Sequence, residues 1–477
     1  MGHMTALEAS KEPLLSGSNP QNECAKDPRR LARLRMQVKV ACVIMFAEGY
    51  YATHHFPFAS WMTEELRGTD ENLGTYAGLL NSVVSIGMFL SSYVWAKASN
   101  RFGRKICLLV GLFSSAISTL LLLLSTDYWT VVCIRFVAGM MNNNLGIVRT
   151  ALREAHQLAG EDDTSAFSTL SVAFGASSIA GPSLGGLIYG RCPEGLLATF
   201  CKPWTAAFLL CWLFYALAFA MTAINMEETA DFSKTRGLTL SPGSRAASKE
   251  GLMNKVPFLL LLVMGGGHSY VFTGWELSYP LLARVKRSDG GQGWVSDQIG
   301  VTFMVGSIGL VIYSMAIYPK LVKRVSALRA WIWSWCLPVI LLPLFPRILT
   351  ASCRAGASDL TIAVMNYSMQ LVMSVFLGGG FIGIQLLLNS YVGEQRSGAV
   401  LLQVANMNLV STQALVRTVS PLSTGKLFEL GLAADHSQAF GEASLVTRAL
   451  TFDHLSVVGI ICCILCALLF SRIREVH

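Results

Sequence analysis

Trp95-Ala96-Lys97-Ala98-Ser99-Asn100-Arg101-Phe102-Gly103-Arg104-Lys105 is a short basic hinge held between two long apolar runs. The run before it, Tyr76 to Val94, is almost uncharged, and the run after it, Ile106 to Leu124, carries no charge. Apolar segments of that length read as transmembrane helices. The cations Lys97, Arg101, Arg104 and Lys105 between them must sit in water, and the positive-inside rule assigns them to the cytoplasmic side.

Working outward, the composition agrees. The chain has 477 residues, of which 53% are hydrophobic and 14% charged, with mean hydropathy +0.49. A soluble domain carries charge on about a quarter of its residues. The sequence therefore describes a polytopic membrane protein whose partner is the lipid bilayer. Because spans must satisfy their own backbone, an all-α fold is expected. At about 20 residues per span plus connections, the length holds roughly twelve helices. The net charge of +8 is spread through short loops instead of gathering on one soluble face, so nucleic acid is not an expected partner. Most cysteines lie inside apolar runs as small buried thiols. Cys192 and Cys201 share one non-cytoplasmic loop, where pairing is open. The first apolar run begins only near Val38, so no cleavable signal is expected.

Residues 1–35 read as a disordered cytoplasmic tail ending in Arg29, Arg30, Arg33 and Arg35. Within it, Lys11-Glu12-Pro13-Leu14-Leu15 loosely resembles an acidic dileucine sorting signal; a few hydrophobes in a polar tail read equally well. Spans are expected at about 36–60, 74–97, 104–126, 129–151, 165–190 and 204–225, then at 256–284, 298–319, 328–349, 361–390, 398–424 and 453–472. The polar stretch 227–254 divides a six-helix bundle, 36–226, from a second, 255–477. Lys and Arg concentrate in both tails and the even-numbered loops, which puts both termini in the cytoplasm. The halves also repeat. A shift of 222 residues lays Gly78 on Gly300 and Ser85-Ile86-Gly87 on Ser307-Ile308-Gly309.

The hinge resembles the loop between helices 2 and 3 of the major facilitator superfamily, whose pattern is roughly G-x-x-x-D-R-x-G-R-K. Arg101, Gly103, Arg104 and Lys105 match; Ala96 replaces the leading Gly and Asn100 the Asp. The resemblance implies two bundles rocking about a midplane site. It assigns gating to Asn100, Arg101, Gly103, Arg104 and Lys105. The family Asp helps hold the outward-facing state through charge contacts. Asn100 keeps a hydrogen bond but supplies no charge, so a shifted conformational balance or a substitute acid is expected.

Polar groups inside spans are costly and therefore candidates for function. In span 4, Arg135, Gly139, Asn142, Gly146, Arg149 and Arg153 recur at three and four residues, on one helical face. Arg135 also fits the superfamily's pattern of an Arg four positions before a Gly, implicated in proton coupling. Span 1 carries Glu48, Tyr51 and His55 on one stripe. An ionised Glu48 in hydrocarbon must be protonated or paired with a cation such as Arg135, and either condition suits a proton carrier. His54 and His55 invite a metal reading, but neighbours on a helix point about 100° apart. They share an ion only if Pro57 unwinds the turn, so no metal is expected. Span 7 offers His268, Trp275 and Glu276, and span 10 Asn366 and Gln370. With Tyr51, His55 and Asn142 these are the expected cavity residues. For the amides, interhelical hydrogen bonding is an equal alternative. In span 5, Gly175, Gly181, Pro182, Gly185 and Gly186 resemble the antiporter motif of proton-coupled exporters, which ends in G-P-x-x-G-G.

Leu79–Lys105, Arg135–Ala151, Ser168–Gly186, Arg287–Gly309, Tyr313–Lys323 and Asn389–Gly425 are similar to the plant zinc-induced facilitator-like group. That resemblance implies export of small polar metabolites, metal chelators included, across vacuolar, endolysosomal or plasma membranes in exchange for protons. Zinc enters there through the chelator, so neither a zinc site nor a cofactor is expected. The expected protein is a monomeric proton-coupled antiporter of a small-molecule substrate. Its rivals are a facilitative uniporter and a non-transporting receptor or scaffold that retains the fold. No nucleophile–base pairing or metal-ligand spacing points to an enzyme.

Overall fold

The computed structural model describes residues 28–159, 164–192, 201–229, 256–287, 291–393, 398–436 and 449–474. Among them every regular element is helical. The first half comprises α1 (Pro28–Thr53), α2 (Ala59–Arg67), α3 (Leu73–Phe102), α4 (Arg104–Leu124), α5 (Tyr128–Met141), α6 (Asn144–Ala159), α7 (Thr164–Ile188) and α8 (Thr205–Asn225). The second comprises α9 (Val256–Arg284), α10 (Ser296–Ile312), α11 (Tyr318–Val325), α12 (Ala327–Arg354), α13 (Asp359–Gly393), α14 (Gly398–His436) and α15 (Leu450–Arg474). A π-helical turn, Tyr313–Ile317, joins α10 to α11.

Nine helices among the described residues are long and apolar enough to cross a membrane. The helices over the first, fifth and eleventh expected spans are not among them. Arg29, Arg30, Arg33, Arg35, Lys39 and Glu48 interrupt α1, and among the described residues α7 shows the apolar stretch Ala173–Ile188. Residues 28–35, expected as disordered tail, are instead the first turns of α1. Pro28 is compatible with a helix start because its missing N–H has no intrahelical partner there. The Arg33 guanidinium lies 3.9 Å from Glu227. The rest of the expected tail and most of the central linker fall outside the described residues.

Two expected spans are each broken. Span 1 ends as a helix at Thr53, passes through a short 3-10 turn, Phe56–Phe58, and resumes as α2. Pro57 supplies no backbone donor, so the α-helical ladder stops there. Span 4 breaks between Met141 and Asn144, where Asn142 is extended (φ −111, ψ 114). Consecutive Asn side chains compete with the helical ladder for backbone partners. The Asn142 side-chain oxygen accepts from the Asn144 backbone N–H at 3.1 Å. The face expected from Arg135 to Arg153 is therefore two faces, one on α5 and one on α6.

Each half has its own apolar core. Val40, Ile44, Leu108, Leu112, Val148 and Ala218 belong to one, Phe258, Trp275, Trp331, Trp335, Leu377 and Phe452 to another. The halves meet through glycines at the ends of α3, α7, α10 and α14. A Cβ on Gly74 would lie 2.7 Å from the Gly425 carbonyl oxygen, and one on Gly186 2.8 Å from Gly300 Cα. At the same end Gly74 N–H donates to Glu429 at 2.5 Å, and Arg284 pairs with Glu64. This end, opposite the basic hinge, is the sealed end, where backbones of the two halves touch at Gly74 with Gly425 and Gly186 with Gly300. The internal repeat is visible here: Gly78 abuts the Pro421 carbonyl, and Gly300 lies 3.2 Å, Cβ to oxygen, from that of Pro182.

Candidate functional site

Glu48 on α1 points into the first half, 4% exposed, at the break in span 4. Asn142 Nδ2 donates to its Oε2 at 2.8 Å and Asn144 Nδ2 to its Oε1 at 2.7 Å. Asn142 Nδ2 also reaches Ser115 Oγ at 3.2 Å. The carboxylate thus stitches together the two free ends that the Asn run creates. Of the two expected conditions for Glu48, contact with the Arg135 guanidinium is not the one adopted among the described residues. Its partners are amides.

Arg135 on α5 is 2% exposed and occupies a second cluster nearer the sealed end. Its Nη2 lies 2.9 Å from His55 Nε2, and its guanidinium 5.9 Å from the centre of the Tyr51 ring. His55 Nε2 lies 2.6 Å from Asn81 Oδ1. Tyr51 stands between the clusters and packs edge-on against Tyr215, centroids 5.7 Å apart. The turn at His54 and His55 is unwound, the condition a shared metal would need. The His54 Nδ1 nevertheless faces the carbonyls of Tyr50 and Tyr51, both at 3.1 Å. Among the described residues no three His, Cys, Asp or Glu side chains gather to hold a metal.

In the second half one pair of candidates bonds to each other and the rest face other residues. Trp275 Nε1 donates to Gln370 Oε1 at 3.0 Å, and Tyr279 Oη to Asn366 Oδ1 at 3.1 Å. Asn366 Nδ2 donates to Gln292 Oε1 at 2.7 Å. His268 is fully buried between Phe381 and Trp335, ring centroids 4.6 and 5.0 Å away, with Nε2 2.5 Å from the Leu377 carbonyl. Glu276 differs, because its electrostatic partner is Arg417 of α14, which also feels Arg149 of α6. Arg149 and Arg417 are both half-buried, one from each half of the molecule. The like charges of Arg149 and Arg417 repel across the two halves, and Glu276 offsets the charge of Arg417.

The hinge is a capped helix start. Gly103 has φ +100, a conformation open to glycine, and a Cβ there would collide with the Glu228 carboxylate. Glu228 accepts from the backbone N–H of Arg104 at 2.7 Å and of Lys105 at 3.1 Å, meeting the positive end of α4. Arg104 forks onto Glu154, Nη2–Oε1 2.7 Å and Nε–Oε2 3.2 Å, while its Nη1 donates to Asn100 Oδ1 at 2.8 Å. Arg101 is exposed. Glu154 and Glu228 are thus acids at a hinge whose own acid position holds Asn100.

The glycines of the antiporter-like stretch have separate surroundings. Gly181 and Gly185 lie against the unwound turn of span 1 at Thr53 and His54, and Gly186 against Ser296 and Gly300 of α10. Pro182 presents its carbonyl to Gly300. A Cβ on Gly175 would meet nothing within 4 Å. The side chains that sequence reasoning misses are Asn144 and Asn81, each holding a candidate residue. The Asn142-Asn143-Asn144 run is the signal that identifies the first of these.

A family model described as Major Facilitator Superfamily matches residues 41–411. The protein Zinc Induced Facilitator 1 of Arabidopsis thaliana is 24% identical over 459 residues, covering 88% of this chain and 91% of that protein. A probable peptide/nitrate transporter of the same plant is 26% identical over 397 residues, 78% of this chain and 79% of its own. A crystal structure of a variant of the nucleoside transporter NupG superposes with TM-score 0.65 at 12% identity, covering 92% of this chain and 100% of that one, so the fold is shared. The chain belongs to the Major Facilitator Superfamily and is an integral, multi-pass membrane transporter.

Proposed function

We propose that this transporter is a secondary active antiporter, exporting a small polar organic solute in exchange for protons by alternating access. The observation that carries the reading is Glu48, a carboxylate at bilayer depth whose partners are two amides from a broken helix. An intramembrane acid held without a cation in contact can gain and lose a proton as water reaches it. Arg135 serves the same coupling from the neighbouring cluster, with Tyr51 between them. Tyr51, His55, Asn142, His268, Trp275, Glu276, Asn366 and Gln370 belong to the substrate path or its walls. Asn100, Arg101, Gly103, Arg104 and Lys105 gate the hinge end, while Gly175, Gly181, Pro182, Gly185 and Gly186 govern the rocking of α7.

The proposed unit is a monomer with twelve spans in two six-helix bundles, 36–226 and 255–477, joined by 227–254. Both termini face the cytoplasm, in a vacuolar, endolysosomal or plasma membrane. With that orientation the sealed end faces the lumen or exterior, the side on which the Cys192–Cys201 disulfide is chemically favoured. Similarity to Zinc Induced Facilitator 1 favours a small polar metabolite as cargo.

Transport in proteoliposomes with and without an imposed pH gradient tests the reading. Accumulation driven by the gradient is expected. Glu48→Gln should remove the gradient dependence while leaving downhill exchange. A second reading, facilitation without proton coupling, is favoured by Asn100 in place of the family acid. It predicts downhill flux that ignores the gradient in both proteins. Absence of flux would favour a scaffold.

A further inference from the structure

We infer that the transported solute carries an anionic oxo group, a carboxylate or phosphate, and that Arg135 is its counter-ion. This deepens the transporter reading and rests on it.

The geometry around Arg135 leaves its charge unanswered by protein. Asn81 Nδ2 donates to the Ala77 carbonyl at 2.8 Å, which fixes the amide with Oδ1 turned to His55. That oxygen, 2.6 Å from His55 Nε2, can only accept, so Nε2 carries the hydrogen. A protonated Nε2 cannot also accept from Arg135 Nη2. The approach of 2.9 Å between them therefore brings two donors together. Arg135 Nε and Nη1 are buried without any hydrogen-bond partner, as is His55 Nδ1. A guanidinium remains charged and has five donors. Among the described residues none accepts a hydrogen bond from its Nε or Nη1. Its electrostatic neighbours, Tyr51, Cys211 and Tyr128, are neutral at ordinary pH, and Glu48 is occupied by its own amides.

An uncompensated cation at this depth is expensive, and its fork geometry fits a planar carboxylate or a phosphate. The same polarity recurs across the halves, where half-buried Arg149 and Arg417 repel each other and Glu276 offsets the charge of Arg417. Two cations against one carboxylate leave an excess of positive charge between the halves, which attracts anions.

The experiment loads proteoliposomes with matched pairs of solutes: small carboxylic acids with their amides, and phosphate monoesters with their parent alcohols. Efflux of each is read by mass spectrometry for the wild type, Arg135→Met and Arg135→Lys, after size-exclusion chromatography and a melting curve have shown each variant folded. The wild type should export anionic members at least about tenfold faster than their neutral partners. Arg135→Met should remove that preference, and Arg135→Lys should retain part of it. The wild-type arm alone fixes the solute class, so a variant that fails to fold leaves that result standing. Export of the neutral members alone would overturn the inference and spare the transporter reading. A preference unchanged in a folded Arg135→Met would overturn the role of Arg135. No efflux of any pair, with neutral and cationic metabolites from a cell extract also retained, would sink both together.

Discussion

Asn144 donates to Glu48 at 2.7 Å, so the carboxylate of α1 is tied to the first residue of α6. With Asn142 on the other oxygen, Glu48 spans the break between α5 and α6. Replacing Asn144 with Ala strands one buried carboxylate oxygen and frees one helix end. The expected loss of stability is about 1–3 kcal/mol. It is measured as a lower melting temperature of the detergent-solubilised protein. In Glu48→Gln the same replacement should cost less, because no charge is stranded. Equal losses in the two backgrounds would mean that Asn144 stabilises the break without reference to Glu48.

The sequence displays this fold most clearly where one residue type does one job over a long run. Apolar runs interrupted by a basic hinge specify spans and their ends, since a segment that long in hydrocarbon satisfies its own backbone as a helix. The glycines are legible for a related reason: Gly78 and Gly300 repeat because each lets a helix of one half approach a proline carbonyl of the other. The breaks are harder to see. Periodicity carries Arg135 through to Arg153 on one face, yet three consecutive asparagines outbid the helical ladder in between. Contacts such as Asn81 with His55 or Asn144 with Glu48 join residues far apart in the chain, and no local pattern encodes which buried amide turns to which partner.

Glycines in one motif should not respond alike to substitution. A Cβ at Gly186 would stand 2.5 Å from the Ser296 carbonyl oxygen and 2.8 Å from Gly300 Cα, both backbone atoms that cannot swing aside. Gly186→Ala should therefore pry α7 from α10 and open the sealed end. A cysteine placed there should label faster, and transport should fall severalfold. Gly175→Ala meets open space and should leave both within error. Equal loss at both positions would show that general helix packing, not this contact, is what the motif supplies.

The hinge gives a prediction of opposite sign. Arg104 is 8% exposed and is held by Glu154 and by the neutral oxygen of Asn100. Glu154→Gln strips the charge partner from a nearly buried guanidinium and should cost about 1–3 kcal/mol, since Glu154 is itself partly solvated. Asn100→Asp restores an acid at the family position and should raise the melting temperature, most clearly in the Glu154→Gln background. If Asn100→Asp fails to rescue Glu154→Gln, the two acids are not interchangeable supports for Arg104.

The disulfide between Cys192 and Cys201 ties the chain between α7 and α8 and offers a test of orientation as well as of stability. Closing a loop with sequence separation 9 removes freedom chiefly from the unfolded chain, so Cys192→Ser with Cys201→Ser should cost about 2–3 kcal/mol. The single change Cys192→Ser exposes a thiol at position 201, in the loop predicted to lie opposite the tails. A membrane-impermeant maleimide added to intact cells or right-side-out organelles should label that thiol on the extracellular or luminal side. Cys24, in the tail, should react only after permeabilisation from the cytoplasmic face. Five spans separate the two positions in the twelve-span topology, so an odd error in the number of spans before α8 would change the side of one label and not the other. Labelling of both thiols from the same side would therefore refute the topology even where transport is intact, because flux reports the site and not the sidedness of the chain.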